Sequence, residues 1–197
     1  MRFRFFGTEI YISFLFVAVI SFLLATDRTG YCLYVVFAVL LHETGHLIAM
    51  WICDCQPKSI KLVPASISIT RGFTSKKCGE GIIAVAGPLV NILMFGSLYI
   101  NYKISAHTLS LEAALINLLV ALFNLLPVCG LDGGTILILI LNKLLRPSKA
   151  LFIVKALTLI TAIAFGIAGI TLIINGNNNI SVFILGIYLI MSVFLRQ

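Results

Sequence analysis

The sequence predicts an all-α polytopic membrane protein, with about six transmembrane helices and a short membrane-surface β-hairpin after the second. Three observations carry this. Of 197 residues, 60% are hydrophobic and 11% are charged, and the mean hydropathy is +1.11; a soluble domain has roughly 25% charged residues. So little polar surface cannot cover a water-surrounded fold, and the same arithmetic excludes disordered, collagen-like and disulfide-scaffold classes. The apolar residues also gather into runs of about the 20 residues a membrane helix needs, and Lys and Arg fall to one side of those runs.

The spans, in order, are Ile10–Ala25, Tyr31–Cys53, Gly81–Asn101, Leu111–Leu144, Leu151–Ile174 and Ile180–Leu195. The first is too long for a cleavable signal and lacks a small-residue cleavage site after it. The breaks are Asp27-Arg28-Thr29-Gly30, Lys58–Lys77, Tyr102–Thr108, Arg146-Pro147-Ser148 and Asn175–Asn179. From Lys58 to Phe73, Ile60 and Leu62 alternate with Lys61, and Ile67 and Ile69 alternate with Ser66, Ser68 and Thr70, around Val63-Pro64-Ala65. Period-two patterning around a proline turn predicts the hairpin; an irregular amphipathic loop is the alternative. There is no internal repeat, and the chain reads as a single transmembrane domain, residues 1–197, without a PDZ or CBS domain.

Assigned to alternating sides, Arg2, Arg4, Lys58, Lys61, Arg71, Lys76, Lys77, Lys143, Arg146, Lys149, Lys155 and Arg196 share one side, and Arg28 and Lys103 the other. The positive-inside rule then places both termini in the cytoplasm. The net charge of +7 is therefore an orientation signal. Without a basic face carrying interleaved aromatics it does not indicate nucleic acid as a partner. Cys32, Cys53, Cys55, Cys78 and Cys129 show no CxxC spacing and read as reduced, mostly apolar fillers.

Two carboxylates lie within otherwise apolar sequence, Glu43 and Asp132, and His42 and His46 bracket the first of them. Burying an ionisable group in a membrane span costs a few kcal/mol or more, so it is a functional candidate by default. On a helix, positions four apart share a face, so the imidazoles of His42-Glu43-Thr44-Gly45-His46 can converge on one ion, with Glu43 beside them. Two imidazoles, a carboxylate and an open position for water suit zinc in a metalloprotease pattern; other divalent ions with similar preferences fit the same donors. The bland alternative is a buried polar cluster that fixes helix packing.

Asp132 is the candidate third ligand, in Asn124-Leu125-Leu126-Pro127-Val128-Cys129-Gly130-Leu131-Asp132-Gly133-Gly134. Pro127 and Gly130 should break the fourth span, which is tolerated only against protein or a water-filled cavity. His46 lies about 22 Å along the second span, and Leu111 to Asn124 covers about 20 Å of the fourth, at 1.5 Å per residue. Both motifs thus fall toward the cytoplasmic side of a core about 30 Å thick. A solvated turn residue is the plain alternative for Asp132. Gly87, Pro88 and Asn91 form a weaker third spot, for which a packing kink with a satisfied amide outweighs a catalytic group. Cys129 reads as a small filler before a second-sphere group.

These motifs resemble the site-2 protease family of intramembrane zinc metalloproteases. The likeness rests on His42-Glu43-Thr44-Gly45-His46, on the Asn124/Pro127/Leu131-Asp132-Gly133 segment, and on Gly87-Pro88/Asn91, and covers roughly Leu40 to Gly134. It implies one zinc ion held by His42, His46 and Asp132, with Glu43 activating water. More weakly, it implies that Asn124, Pro127, Gly87, Pro88 and Asn91 lie near the substrate or the reacting carbonyl. Six spans without a PDZ insertion resemble the compact branch that includes the stage IV sporulation protease, which releases a sigma factor from a membrane-associated pro-form. The implied partners are a membrane-associated protein substrate, the lipid bilayer and membrane-protein regulators. This chain ends at Gln197, without the CBS domain of many branch members.

The activity so implied is hydrolysis of a peptide bond in or near a substrate's membrane segment, with the Lys58–Phe73 hairpin holding the unwound stretch by strand addition. Two other classes compete. A metal or proton transporter would show paired broken segments related by symmetry, and no repeat is present. An inactive membrane-protein-binding homologue would be expected to lack Glu43 or a ligand, and all four groups are here.

Overall fold

The computed structural model describes residues 2–5, 8–55, 57–63, 66–71, 79–175 and 181–195. The chain divides into two compact units, residues 1–123 and 124–197.

The first unit opens with strands where the sequence predicts only the approach to a helix. Arg-Phe-Arg-Phe alternates polar with aromatic residues, and Thr-Glu-Ile-Tyr-Ile is rich in β-branched and aromatic ones, both suited to a pleated strand. They form β1 (Arg2–Phe5) and β2 (Thr8–Ile12), antiparallel with Phe5 opposite Thr8. Two helices follow, α1 (Phe14–Thr26) and α2 (Tyr31–Ile52). The chain then returns as β3 (Pro57–Val63), parallel to β2 with Ile10 opposite Ile60. A parallel neighbour requires such a crossover. Antiparallel to β3 runs β4 (Ser66–Arg71), with Leu62 opposite Ile67. The sheet order is β1-β2-β3-β4. The all-α expectation is thereby corrected: the segments assigned to a lone hairpin are half of a four-stranded sheet. The first helix begins at Phe14, not Ile10, because residues 8–12 are committed to strand pairing. The turn expected at Pro64-Ala65 and the hairpin's end at Phe73 lie outside the described residues.

The N-terminus of α2 is capped from the preceding turn. The Asp27 carboxylate accepts the Cys32 N–H at 2.6 Å and the Thr29 N–H and hydroxyl at 2.8 and 2.6 Å. Gly30, at φ 79°, makes the left-handed step that a side chain would resist. The unit ends with α3 (Gly79–Ser105) and α4 (Thr108–Asn124).

In the second unit, residues 125–131 are non-helical and lead into α5 (Asp132–Leu141). The stretch predicted as one broken span, 111–144, is therefore two helices with an irregular connection at Pro127–Gly130. The unit is completed by α6 (Pro147–Ile174) and α7 (Ser181–Leu195). Pro147, assigned to a loop by the sequence reading, starts α6, where its missing N–H has no intrahelical role. Helices α6 and α7 pack backbone to backbone: a Cβ on Gly169 would lie 2.6 Å from the Phe183 nitrogen, and one on Gly186 3.0 Å from the Gly166 nitrogen. Small residues allow this approach where no hydrophobic force draws helices together. The loop expected at 176–179 lies outside the described residues.

Three described helices are long and apolar enough to cross a membrane: Tyr31–Ile52, Gly79–Ser105 and Pro147–Ile174. The outer faces are apolar, with Trp51 75% and Leu93 61% exposed, whereas His42, His46, Asn91, Asn117 and Thr158 are buried. Apolar outside and polar inside is the arrangement that lipid as solvent favours. The protein is a multi-pass membrane protein.

Candidate metal centre

Four residues apart on α2, His42 and His46 turn onto the face that meets α3, and both are buried. Their rings cross at 82°, with Nε2 atoms 3.1 Å apart. Each ring is held from its other nitrogen. His46 Nδ1 lies 2.7 Å from the Ile83 carbonyl oxygen, which can only accept, so Nδ1 carries the proton. His42 Nδ1 lies 3.0 Å from Asn91 Oδ1. The Asn91 amide nitrogen donates at 3.0 Å to both the Ala38 carbonyl and Asn117 Oδ1, so its oxygen faces His42 and accepts from that ring. These tautomers follow from the hydrogen-bond network.

Both Nε2 lone pairs therefore converge. A hydrogen bond between them would require one ring to carry two protons, leaving a buried imidazolium among apolar helices, at substantial desolvation cost. A shared cation replaces that repulsion with coordination. A ligand histidine whose second nitrogen donates to a carbonyl or carboxamide is the usual support for a bound metal. The donor set thus fits a metal ion, and zinc in particular accepts neutral imidazole nitrogen.

The third helix is shaped around these rings. A Cβ at Gly87 would overlap His46 Nε2 and lie 2.7 Å from His46 Cε1 and 2.8 Å from His42 Cε1. Glycine there keeps the converging ligand atoms clear. One turn away along α2, a Cβ on Gly45 would meet the Ala86 carbonyl oxygen at 2.7 Å, so the α2 and α3 backbones touch. Pro88 cannot close a bond onto the Ala84 carbonyl, which loosens the turn that offers Ile83 O to His46. Glu43 follows His42 on α2 and is half-buried.

The Asp132 segment is built within the second unit. Asp132 is the first residue of α5 and half-buried. Gly133 and Gly134 are buried because the preceding loop folds back on them: a Cβ on Gly133 would overlap the Leu125 carbonyl, and one on Gly134 would overlap that of Val128. Gly130 has φ 103°, a conformation reserved for glycine. The buried Thr158 hydroxyl on α6 accepts the Cys129 N–H at 2.9 Å and donates to the Val154 carbonyl at 2.7 Å. Cys129 is buried, and its backbone N–H makes the anchor to Thr158.

Of Gly87, Pro88 and Asn91, read from sequence mainly as a packing kink, Gly87 and Asn91 meet the two imidazoles, and Pro88 is buried beside Gly87 on α3. Asn117 and Thr158 were missed. The available signal was a polar residue inside an apolar span, but nothing in the sequence says which helix such a group faces.

Paired imidazoles, each held in one tautomer inside a helical membrane unit, form a donor set that fits a metal ion. The model of peptidase family M50 matches residues 100–167 of this chain. The chain is 33% identical over 146 residues to a zinc metalloprotease of Methanocaldococcus jannaschii, covering 70% of this chain and 42% of that protein. It is 29% identical over 132 residues to stage IV sporulation protein FB of Bacillus subtilis, covering 64% of this chain and 46% of the relative. The chain spans less than half the length of these two relatives. Its fold matches that of the site-2 protease from M. jannaschii, with a TM-score of 0.73 and 24% identity, covering 99% of this chain and 94% of that one.

Proposed function

We propose that this chain is an intramembrane zinc metalloprotease that hydrolyses a peptide bond in or near the transmembrane segment of a membrane-associated protein. The observation that carries it is the pair of buried imidazoles with their Nδ1 atoms committed to Asn91 and Ile83 and their Nε2 atoms 3.1 Å apart. In this reading His42, His46 and Asp132 hold one zinc ion per chain. Zinc, when bound, supplies a Lewis acid and lowers the pKa of water toward about 7.

The chain's own residues do the rest. Glu43 takes the proton of the attacking water and passes it to the leaving amine. Ile83 and Asn91 keep the rings in their ligating tautomers. Gly87 and Pro88 are assigned to shaping the space around the rings, whereas Asn124 and Pro127 are proposed to lie near the substrate carbonyl. The β3–β4 pair is proposed to hold an unwound substrate stretch by strand addition.

The likeness to stage IV sporulation protein FB suggests a membrane-associated pro-protein as substrate, with a pro-sigma factor the first candidate. Six spans, cytoplasmic termini and a site toward the cytoplasmic side complete the reading, supported by twelve basic residues against two. The test compares the native chain with Glu43→Gln in detergent. One zinc in each, with cleavage of a pro-protein by the native chain alone, is the expected result. A native chain that keeps its fold and binds no stoichiometric metal overturns the reading.

A further inference from the structure

We infer that Asn117 is a positioning residue for the metal site, acting through Asn91 to set the tautomer of His42; this rests on the metal-site reading above. Asn117 lies on α4, is 5% exposed, and has no place in either sequence motif. Its amide nitrogen donates to the Ala113 carbonyl at 2.9 Å, one turn back on its own helix. That bond leaves only one orientation for the amide, with Oδ1 turned away from Ala113. Oδ1 accepts an Asn91 N–H at 3.0 Å.

Asn91 is fully buried, and its second N–H goes to the Ala38 carbonyl. With both protons committed, only its oxygen can face His42 Nδ1. The order of donors thus runs from His42 through Asn91 to Asn117 and ends on a backbone carbonyl, an acceptor with no hydrogen to give. Reversing any amide would set two donors or two acceptors against each other in a buried site, which costs about 1–3 kcal/mol. The Ala38 carbonyl on α2 and, through Asn117, the Ala113 carbonyl on α4 together set His42 to present a lone pair, and not a proton, at Nε2. The same three helices are tied together by this chain of bonds, so the ring's orientation is fixed along with its tautomer.

The test uses the whole chain in detergent, with zinc alone as the probe and two readouts. Zinc affinity is measured by chelator competition, and the histidine tautomers by nitrogen-15 spectra of the zinc-free chain. Native protein is expected to show His42 protonated at Nδ1. Asn117→Leu, similar in branching though bulkier and without an acceptor, is expected to show mixed His42 tautomers and to bind zinc roughly tenfold more weakly, the lower end of effects for groups that support metal ligands. Asn117→Asp keeps an acceptor toward Asn91 and is expected to keep the Nδ1–H tautomer. Ala121→Gly, a buried change on the same helix, is expected to lower thermal stability without altering either readout.

Native His42 protonated at Nε2 overturns the inference even if Asn117→Leu does not fold. So does an Asn117→Leu chain with native tautomer and native zinc affinity. A native chain that shows the Nδ1–H tautomer but binds no zinc overturns the protease reading and leaves the relay standing.

Discussion

Replacing Gly87 with alanine places a methyl group where two ligand atoms converge. Its carbon would overlap His46 Nε2 and sit 2.7 and 2.8 Å from the Cε1 atoms of His46 and His42. Ordinary contact begins at 3.4 Å, so the rings or α3 must give by about 0.7 Å or more. The backbones cannot simply slide together elsewhere, because Gly45 already brings α2 against the Ala86 carbonyl. A retreat of that size stretches the 3.0 Å bond from His42 to Asn91 beyond useful length.

Overpacking costs about 1–3 kcal/mol, and a strained hydrogen bond adds about 1 kcal/mol. A total of about 2–4 kcal/mol borne at the imidazoles corresponds to a roughly 30- to 1,000-fold loss of zinc affinity. The assay is chelator competition in detergent, beside the thermal unfolding of the same sample. Gly96→Ala on the same helix is the control: a Cβ there meets nothing within 4 Å, and alanine is the better helix former by up to about 1 kcal/mol. A folded Gly87→Ala chain with native zinc affinity would refute the reasoning.

Two further outcomes follow from groups outside the imidazole pair. Thr158→Val removes the acceptor for the buried Cys129 N–H and should lower stability by about 1–3 kcal/mol, with Thr158→Ser restoring most of it; unfolding that matches the native chain would show that the loop is held otherwise. Hydrogen bonds from the Thr29 side chain, the Cys32 N–H and the Thr29 N–H hold the Asp27 carboxyl below its ordinary value of 3.8. Its stabilisation is therefore present above about pH 3.8 and lost as pH falls through the lower folded value. Asp27→Asn should remove that part of the acid dependence, measured by unfolding between about pH 5 and pH 2, and an unchanged profile would count against the cap.

What could be read from the sequence was local. The spacing of His42 and His46 places both rings on one face of any helix, and α2 is helical at both. Pro127 and Gly130 interrupt the span that holds Asp132 for reasons of backbone geometry alone. The N-terminal strands were not read, because β2 is short and its neighbour β3 lies about fifty positions later, with Ile10 opposite Ile60. A pairing so distant leaves no mark beyond five residues rich in β-branched and aromatic side chains, and those also fit the approach to an apolar helix.

By itself the sequence determined the solvent, the helical spacing of the paired histidines and the point where a later span breaks. Each of these depends on residues within a few turns of one another and on their transfer energies. Only the tertiary structure decided that Asn91 turns its oxygen to His42, that its N–H groups go to Ala38 and Asn117, and that Gly87 must have no side chain. Those facts depend on which face of α3 meets α2 and which residue of α4 meets α3. In an apolar helix, every face is nearly equally greasy, so hydropathy cannot choose between them. The choice was made by buried hydrogen bonds that have acceptors in only one packing.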